Sequence, residues 1–316
     1  MLIIDYFQNL FKNFIQINLK LRNFILNQYF RSIFYRKKHI KKGKYDWLKK
    51  VDLSIVNKNE GILRYKNLQY KIPKKDYKTI PLHQKYLYAA LVKYYNIPKH
   101  FLLFWDSLLV FNEIFLIKEY NKEFQIRNGD IILDIGASIG WYTCKVSKLV
   151  GDNGKIIAIE PNQRNYEYLK KNIEINNLNN IITINKGVWS SKKELIFLCK
   201  GYGSTLEFNR VFENKSRNFI TINVDTIDNI ISELKLTKIN LIKMDIEGAE
   251  IEAILGAKYV INNFKMLKLI IAAYHKNQKG LESFKILVPY LERRGFKIFE
   301  EHLPYIIAIK QNNNDY

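Results

Sequence analysis

Cysteine is almost missing from this chain of 316 residues, with Cys144 and Cys199 as its two examples. That excludes a disulfide framework and any cysteine-based metal site, and it points to a reducing compartment. Cys144 falls just after a glycine loop and reads as a small buried hydrophobe. The five histidines form no ligand-spaced pair, so turnover without a metal is expected, although Asp245 and Glu247 could hold a magnesium ion. Long apolar runs are missing too. The stretch from Phe101 to Ile117 is broken by Asp106, Asn112 and Glu113 and falls short of the ~18 uninterrupted residues of a spanning helix, so it reads as core helix. The start, Met1-Leu2-Ile3-Ile4-Asp5, has no positive flank and no small-residue cleavage site after it, so secretory export is not expected. The expected location is the cytoplasm, with a peripheral position at the inner membrane surface as its variant. No internal repeat is present, and low complexity is confined to Asn312–Asn314.

Acidic residues are scarce, 30 against 51 Lys and Arg, for a formal charge of +21. The imbalance is uneven: residues 1–80 carry 19 basic and 5 acidic groups, a net +14. Arg36-Lys37-Lys38-His39-Ile40-Lys41-Lys42-Gly43-Lys44 would attract anionic lipid, polysaccharide or nucleic acid, or serve only as a solvated linker. Ahead of it, Ile3, Phe7, Leu10, Phe14, Ile17, Leu21 and Phe24 alternate steps of four and three, which predicts one helix with an apolar stripe. That stripe could pack on the rest of the chain, on a second copy in a homodimer, or in a membrane interface reached through residues 1–50.

Asp134-Ile-Gly-Ala-Ser-Ile-Gly140 follows the apolar run Ile131-Ile132-Leu133 and predicts a strand, a tight glycine turn and a helix. The next strand, Ile156 to Ile159, ends in Glu160, placed to accept hydrogen bonds from both hydroxyls of a ribose. The phosphate-binding pattern G-x-G-x-x-G is missing, and an aspartate at the strand end would repel a pyrophosphate. S-adenosylmethionine carries a sulfonium and an ammonium group and no phosphate, so it suits this loop. Asp134 could instead satisfy amides of the following helix, and Gly140 could serve helix packing alone.

A third motif, Ile242-Lys243-Met244-Asp245-Ile246-Glu247-Gly248-Ala249-Glu250, completes an ordered set. With DIGASIG and Ile159-Glu160-Pro161-Asn162 it resembles the FkbM family of S-adenosylmethionine-dependent methyltransferases. The resemblance runs from about Phe111 to Lys310 and takes in Asn112-Glu113-Ile114-Phe115, Gly203-Ser204-Thr205 and Tyr274-His275. Ser138 stands where the family usually has asparagine, and Ala272 where it often has an acid. The resemblance implies a Rossmann-like class I fold, an α/β domain with a seven-stranded, mostly parallel sheet and one antiparallel strand. It implies cofactor contacts from Asp134, Gly136, Ala137, Ser138, Gly140, Glu160, Pro161, Asn162, Val188 and Asp245, with Glu113 and Tyr120 near the amino-acid end of the cofactor.

Four segments are expected: a basic helical extension over 1–80, a helical lead-in over 81–127, the catalytic domain over 128–310 and a tail over 311–316. Strands are expected at 130–135, 155–160, 181–186, 239–245, 267–274, 296–301 and 305–310, with helices near 141–150, 163–177 and 247–262. Short strands at 195–199 and 219–224 read as an insertion in which Gly201 to Thr205 forms a lid or a plain turn. The last two main strands are separated by four residues and should pair antiparallel. Because the crevice of an open parallel sheet lies at the carboxyl ends of its strands, Asp134, Glu160, Asp245 and His275 should converge. The [DN]-P-P-[FYW] motif of N-methylating enzymes is missing, which favours a hydroxyl acceptor. His275 is the expected base, with Asp245 or Glu247 orienting it or the acceptor; His275 and Glu247 could also act only as end caps. The leading reading is O-methylation of a glycan, glycolipid or other hydroxylated metabolite. Its competitors are an RNA methyltransferase docking through residues 1–80, a binding protein without activity, and a nicotinamide enzyme.

Overall fold

The computed structural model describes residues 52–55, 60–73, 124–198, 219–275 and 281–311. Several expectations fall outside them: the stripe and basic cluster before residue 45, the run 101–117 with Glu113, Tyr120, Cys199 and the Gly201–Thr205 segment. Contacts divide the chain into Met1–Lys50 and Val51–Tyr316. Every described residue belongs to the second unit.

Its centre is a seven-stranded sheet made of β4 (Ile131–Ile135), β5 (Lys155–Ile159), β6 (Ile181–Ile184), β10 (Leu241–Met244), β11 (Lys268–Ala272), β12 (Phe296–Ile298) and β13 (Tyr305–Lys310). The spatial order is β12-β13-β11-β10-β4-β5-β6. All neighbours are parallel except those of β13, which runs antiparallel to both β11 and β12. The reversed strand, last in the sequence, therefore sits inside the sheet and not at its edge. Side chains alternate between faces along each strand. Leu133, Ile135, Ile157, Ile159, Ile242, Met244, Leu269 and Ile271 form the larger core. They pack with α3 (Ile227–Glu233), α4 (Glu250–Leu255), α5 (Lys258–Asn263) and α6 (Phe284–Glu292). The opposite face is covered by α1 (Trp141–Val150) and α2 (Gln163–Ile175), where Ala158 meets Ala137 and Leu169.

The expected helix over 247–262 divides into α4 and α5 at Gly256. A Cβ there would collide with the carbonyl oxygen of Trp189, so the close approach of two backbones interrupts the helix. Helices α3 and α6 were not anticipated. The insertion forms a separate small sheet in which β9 (Phe219–Asp225) pairs antiparallel with β8 (Lys193–Leu198) and parallel with β7 (Gly187–Val188).

The expectation of a helical extension across 1–80 is corrected over its described part. Residues 52–73 form an antiparallel meander of β1 (Asp52–Ile55), β2 (Glu60–Tyr65) and β3 (Leu68–Pro73). Its register buries Leu53, Leu63, Leu68, Tyr70 and Ile72. The meander is also joined to the main sheet's helical cover. Asn172 on α2 accepts from the Lys71 amide at 2.6 Å and donates to the Lys71 carbonyl. Asn176 likewise accepts from the Gln69 amide and donates to the Gln69 carbonyl. Tyr70 stacks on Trp141, with ring centroids 4.5 Å apart, and its hydroxyl donates to the Trp141 carbonyl. No Cβ-free turn advertises this meander: Lys66 itself takes the left-handed conformation between β2 and β3.

Candidate active site

The first loop is built so that its own backbone groups are used internally. Gly136, at φ +77°, packs so close to the next strand that a Cβ would collide with the Asp245 carbonyl oxygen. The amides of Gly136 and Ala137 both donate to the Ile159 carbonyl, each at 3.0 Å. The Ser138 amide donates to Glu160 Oε2 at 2.8 Å, and the Asn162 amide to Glu160 Oε1 at 2.9 Å. Three consecutive loop amides are therefore engaged within the protein, and no nest of free donors is left at those positions for a diphosphate. A donor that presents hydroxyl and ammonium groups fits this rim, and a phosphate-rich one does not.

Asp134 is fully buried at the end of β4. Its Oδ2 accepts from the Thr143 hydroxyl at 2.6 Å, and its Oδ1 lies 3.1 Å from Lys243 Nζ as an ion-pair contact without the alignment of a hydrogen bond. Lys243 is the register partner of Asp134 on the adjacent strand and also donates to the Gly136 carbonyl at 3.1 Å. The carboxylate thus acts through the loop, holding its two ends together with Lys243. Sequence reasoning passed over this lysine. The signal was available, a charged residue in the middle of the buried run Leu241-Ile242-Lys243-Met244.

Glu160 is 5% exposed, and burial pushes its carboxyl up to about 7, although the Asn162 and Ser138 amides favour the charged form. Gly140 opens α1 and would meet the Leu169 side chain if it carried a Cβ, which supports its packing role. Asn162 uses its side chain to cap α2 by accepting from the Asn165 amide. Ala137 and Val188 lie in apolar packing, and Pro161 sits against Gly187. Asn185, also passed over, donates to the carbonyls of Glu160 and Pro161 and so holds the rim from the far side. Cys144 is buried and its thiol pushed up to about 12, as suits an inert packing residue.

The second half of the site is the turn after β10. Glu247 takes a left-handed φ of 56° and Gly248 one of 106°, which turns the chain from the strand into α4. His275, just past β11, is brought to it from the neighbouring strand. Its Nε2 lies 3.2 Å from Glu247 Oε2, and its Nδ1 lies 2.8 Å from Oε1 of the fully buried Glu250. Glu250 also accepts from the Gly248 amide and the Ser283 hydroxyl. Although burial alone would lower it, hydrogen bonding to both carboxylates lifts the imidazole to about 10. His275 was expected to be the base. Here both of its nitrogens face carboxylates, an arrangement that suits orientation of Glu247 better than acceptance of a proton from a substrate. Asp245, Glu247 and His275 bring one ligand atom each to within 4.8 Å of one another. The strand ends pointed to a meeting of Asp245 and His275, but the contact of Glu250 with the back of the imidazole was not foreseen.

The chain matches the family model described as the methyltransferase FkbM domain over residues 134–298, more than half its length. It belongs to the FkbM family of S-adenosylmethionine-dependent methyltransferases. Among curated relatives of this FkbM domain, the hexuronic acid methyltransferase AglP of Haloferax volcanii is 23% identical over 158 residues. The match covers 50% of this chain and 61% of AglP, so the chain spans about three fifths of the length of that relative. Among solved structures, a methyltransferase FkbM from Methylobacillus flagellatus is 22% identical with a TM-score of 0.43, covering 60% of this chain and 45% of the other. A SAM-dependent methyltransferase from Aquifex aeolicus is 16% identical with a TM-score of 0.36, covering 63% and 89%. Among the described residues, no helix is long and apolar enough to cross a membrane.

Proposed function

We propose that this FkbM methyltransferase moves a methyl group from S-adenosylmethionine to a hydroxyl oxygen of a glycan, glycolipid or other hydroxylated metabolite. The observation that carries this reading is the acidic turn. Asp245 and Glu247 lie at the same strand end that Gly136 abuts, so proton-accepting groups stand beside the cofactor loop. The relative named for hexuronic acid supports a sugar-bearing acceptor.

When bound, the cofactor supplies a methyl carbon on a positively charged sulfur, a leaving group that needs no acid. Glu160 would receive the ribose hydroxyls, and Asp134 with Lys243 would keep the loop in shape. The protein's main task is then alignment of the acceptor oxygen with the methyl carbon. As the oxygen–carbon bond forms and the carbon–sulfur bond breaks, the hydroxyl proton passes to a carboxylate of the turn, Asp245 or Glu247. His275, held by Glu250, positions Glu247 for that work. The test is calorimetric titration of S-adenosylmethionine into the full chain, followed by mass spectrometry of candidate acceptors for one added methyl group. No binding, or tighter binding of a nicotinamide cofactor, would overturn the proposal.

A further inference from the structure

We propose that Asp245, Glu247 and His275 form a binding site for one divalent cation of the magnesium or manganese class, with Glu250 as the positioning residue behind the histidine. The inference deepens the methyl-transfer reading of the same site, since the ion would receive the acceptor hydroxyl.

Two observations carry it. The first is spacing. The three ligand atoms lie within 4.8 Å of one another, and Glu247 Oε2 stands 3.2 Å from His275 Nε2. Around an ion with bonds of about 2.1 Å, neighbouring ligands are about 3.0 Å apart and opposite ones about 4.2 Å, so small side-chain shifts suffice. The second is the shell behind the ligands. A metal-bound histidine usually has its other nitrogen held by a carboxylate, which fixes the tautomer and aims the free nitrogen at the ion. Glu250 does this for Nδ1 at 2.8 Å. It is itself fully buried and fixed by Gly248 and Ser283, while Tyr274 lies against the imidazole with ring centroids 4.2 Å apart.

Two carboxylate oxygens and one imidazole nitrogen leave coordination positions open, and such a set suits manganese or magnesium better than zinc or copper. An acceptor hydroxyl bound there loses its proton more readily. The oxygen then attacks the methyl carbon as the carbon–sulfur bond breaks. The proton leaves through the second oxygen of Glu247, whose side chain is 36% exposed.

The experiment uses Mn²⁺ as the probe on the full chain, read by electron paramagnetic resonance and calorimetry. The expected result is one Mn²⁺ per chain at micromolar concentrations. Glu247→Gln and His275→Gln should each weaken it at least tenfold, and Glu250→Gln by about 10- to 100-fold although it never touches the ion. S-adenosylmethionine affinity, measured on the same samples, reports folding and tests the methyl-transfer reading separately. Millimolar binding only, or micromolar binding that all three substitutions leave unchanged in protein that still binds the cofactor, would overturn the cation site. A protein that binds Mn²⁺ as expected but ignores S-adenosylmethionine would keep the ion site and remove the methyl-transfer reading.

Discussion

Asp134 and Asp245 end two adjacent strands, yet their surroundings differ in kind. Asp134 is sealed from solvent, with a lysine and a threonine hydroxyl taking its charge. Asp245 stands in a group of three acids around one histidine. The first rim is sealed, with the charge of Asp134 met by Lys243; the second is partly exposed, with the Glu247 side chain 36% open to solvent. This division matches what the two halves must do. A cofactor loop works by keeping its shape, so its polar groups are best satisfied by the protein. An acceptor site of the kind proposed must take up a proton or hold an ion, so it is served by groups that solvent and ligand can reach.

The sharpest way to break the contrast is to remove the neutralising lysine. Lys243→Met should lower stability to chemical unfolding by about 3–5 kcal/mol, because Asp134 would be left as a buried charge without its partner. Adding Asp134→Asn should recover much of that loss, since both charges are then gone. A single variant within about 1 kcal/mol of the parent would show that Asp134 does not depend on Lys243.

On the acidic side, Glu247→Gln should leave the fold and the cofactor affinity near their original values and slow methyl transfer on the order of 10²-fold. That is the low end for loss of a general base, because the sulfonium already leaves well. Single-turnover rates against a working acceptor give the measure. Equal activity in the variant would place proton acceptance on Asp245.

A smaller effect, tied to pH, belongs to the closed rim. Burial raises Glu160 from 4.5 to about 7. Between those values the folded chain holds a proton that the unfolded chain has released. The stabilising contribution is therefore fully present below about pH 4.5 and is lost as pH rises through about 7. The cofactor's ribose hydroxyls donate hydrogen bonds and favour the opposite, charged form. S-adenosylmethionine affinity should accordingly rise by up to about tenfold per pH unit toward 7 and then level off. Glu160→Gln should bind more weakly, and its pH profile should be flat. A sloping profile in that variant would assign the dependence to another group.

How much of this was legible depended on the range of the interaction. The strand–loop–helix units around Asp134 and Glu160 announce themselves through local alternation and glycines, so the parallel sheet and the meeting of Asp134, Glu160, Asp245 and His275 at one rim could be anticipated. Contacts set across strands could not. Lys243 looked like one more lysine in a lysine-rich chain until register placed it beside Asp134. Glu250 read as the end of a motif and not as the partner of His275, because α4 had to form before its carboxylate turned inward. The meander was masked by charge: Leu63, Tyr70 and Ile72 sit among Arg64, Lys66, Lys71 and the lysines that follow, and its turn at Lys66-Asn67 contains no glycine. Read by charge alone, it merged with the basic segment before it.

Removing only the basic segment ahead of the meander should have the smallest effect of all. A chain starting at Pro81 would lose β3 and with it the Tyr70–Trp141 ring contact and the four backbone bonds to Asn172 and Asn176. Asn172 also donates to the Ile139 carbonyl inside the glycine loop, so the meander is linked to the cofactor rim through one side chain. The separable boundary is at Lys50, where contacts divide the chain. A chain starting at Val51 should therefore bind S-adenosylmethionine within about twofold of the full chain, a difference of about 0.4 kcal/mol. Calorimetry on the Val51 and Pro81 chains side by side decides the matter. Equal affinities in both would show that the meander does not support the loop, and a large loss in the Val51 chain would give residues 1–50 a part in the site.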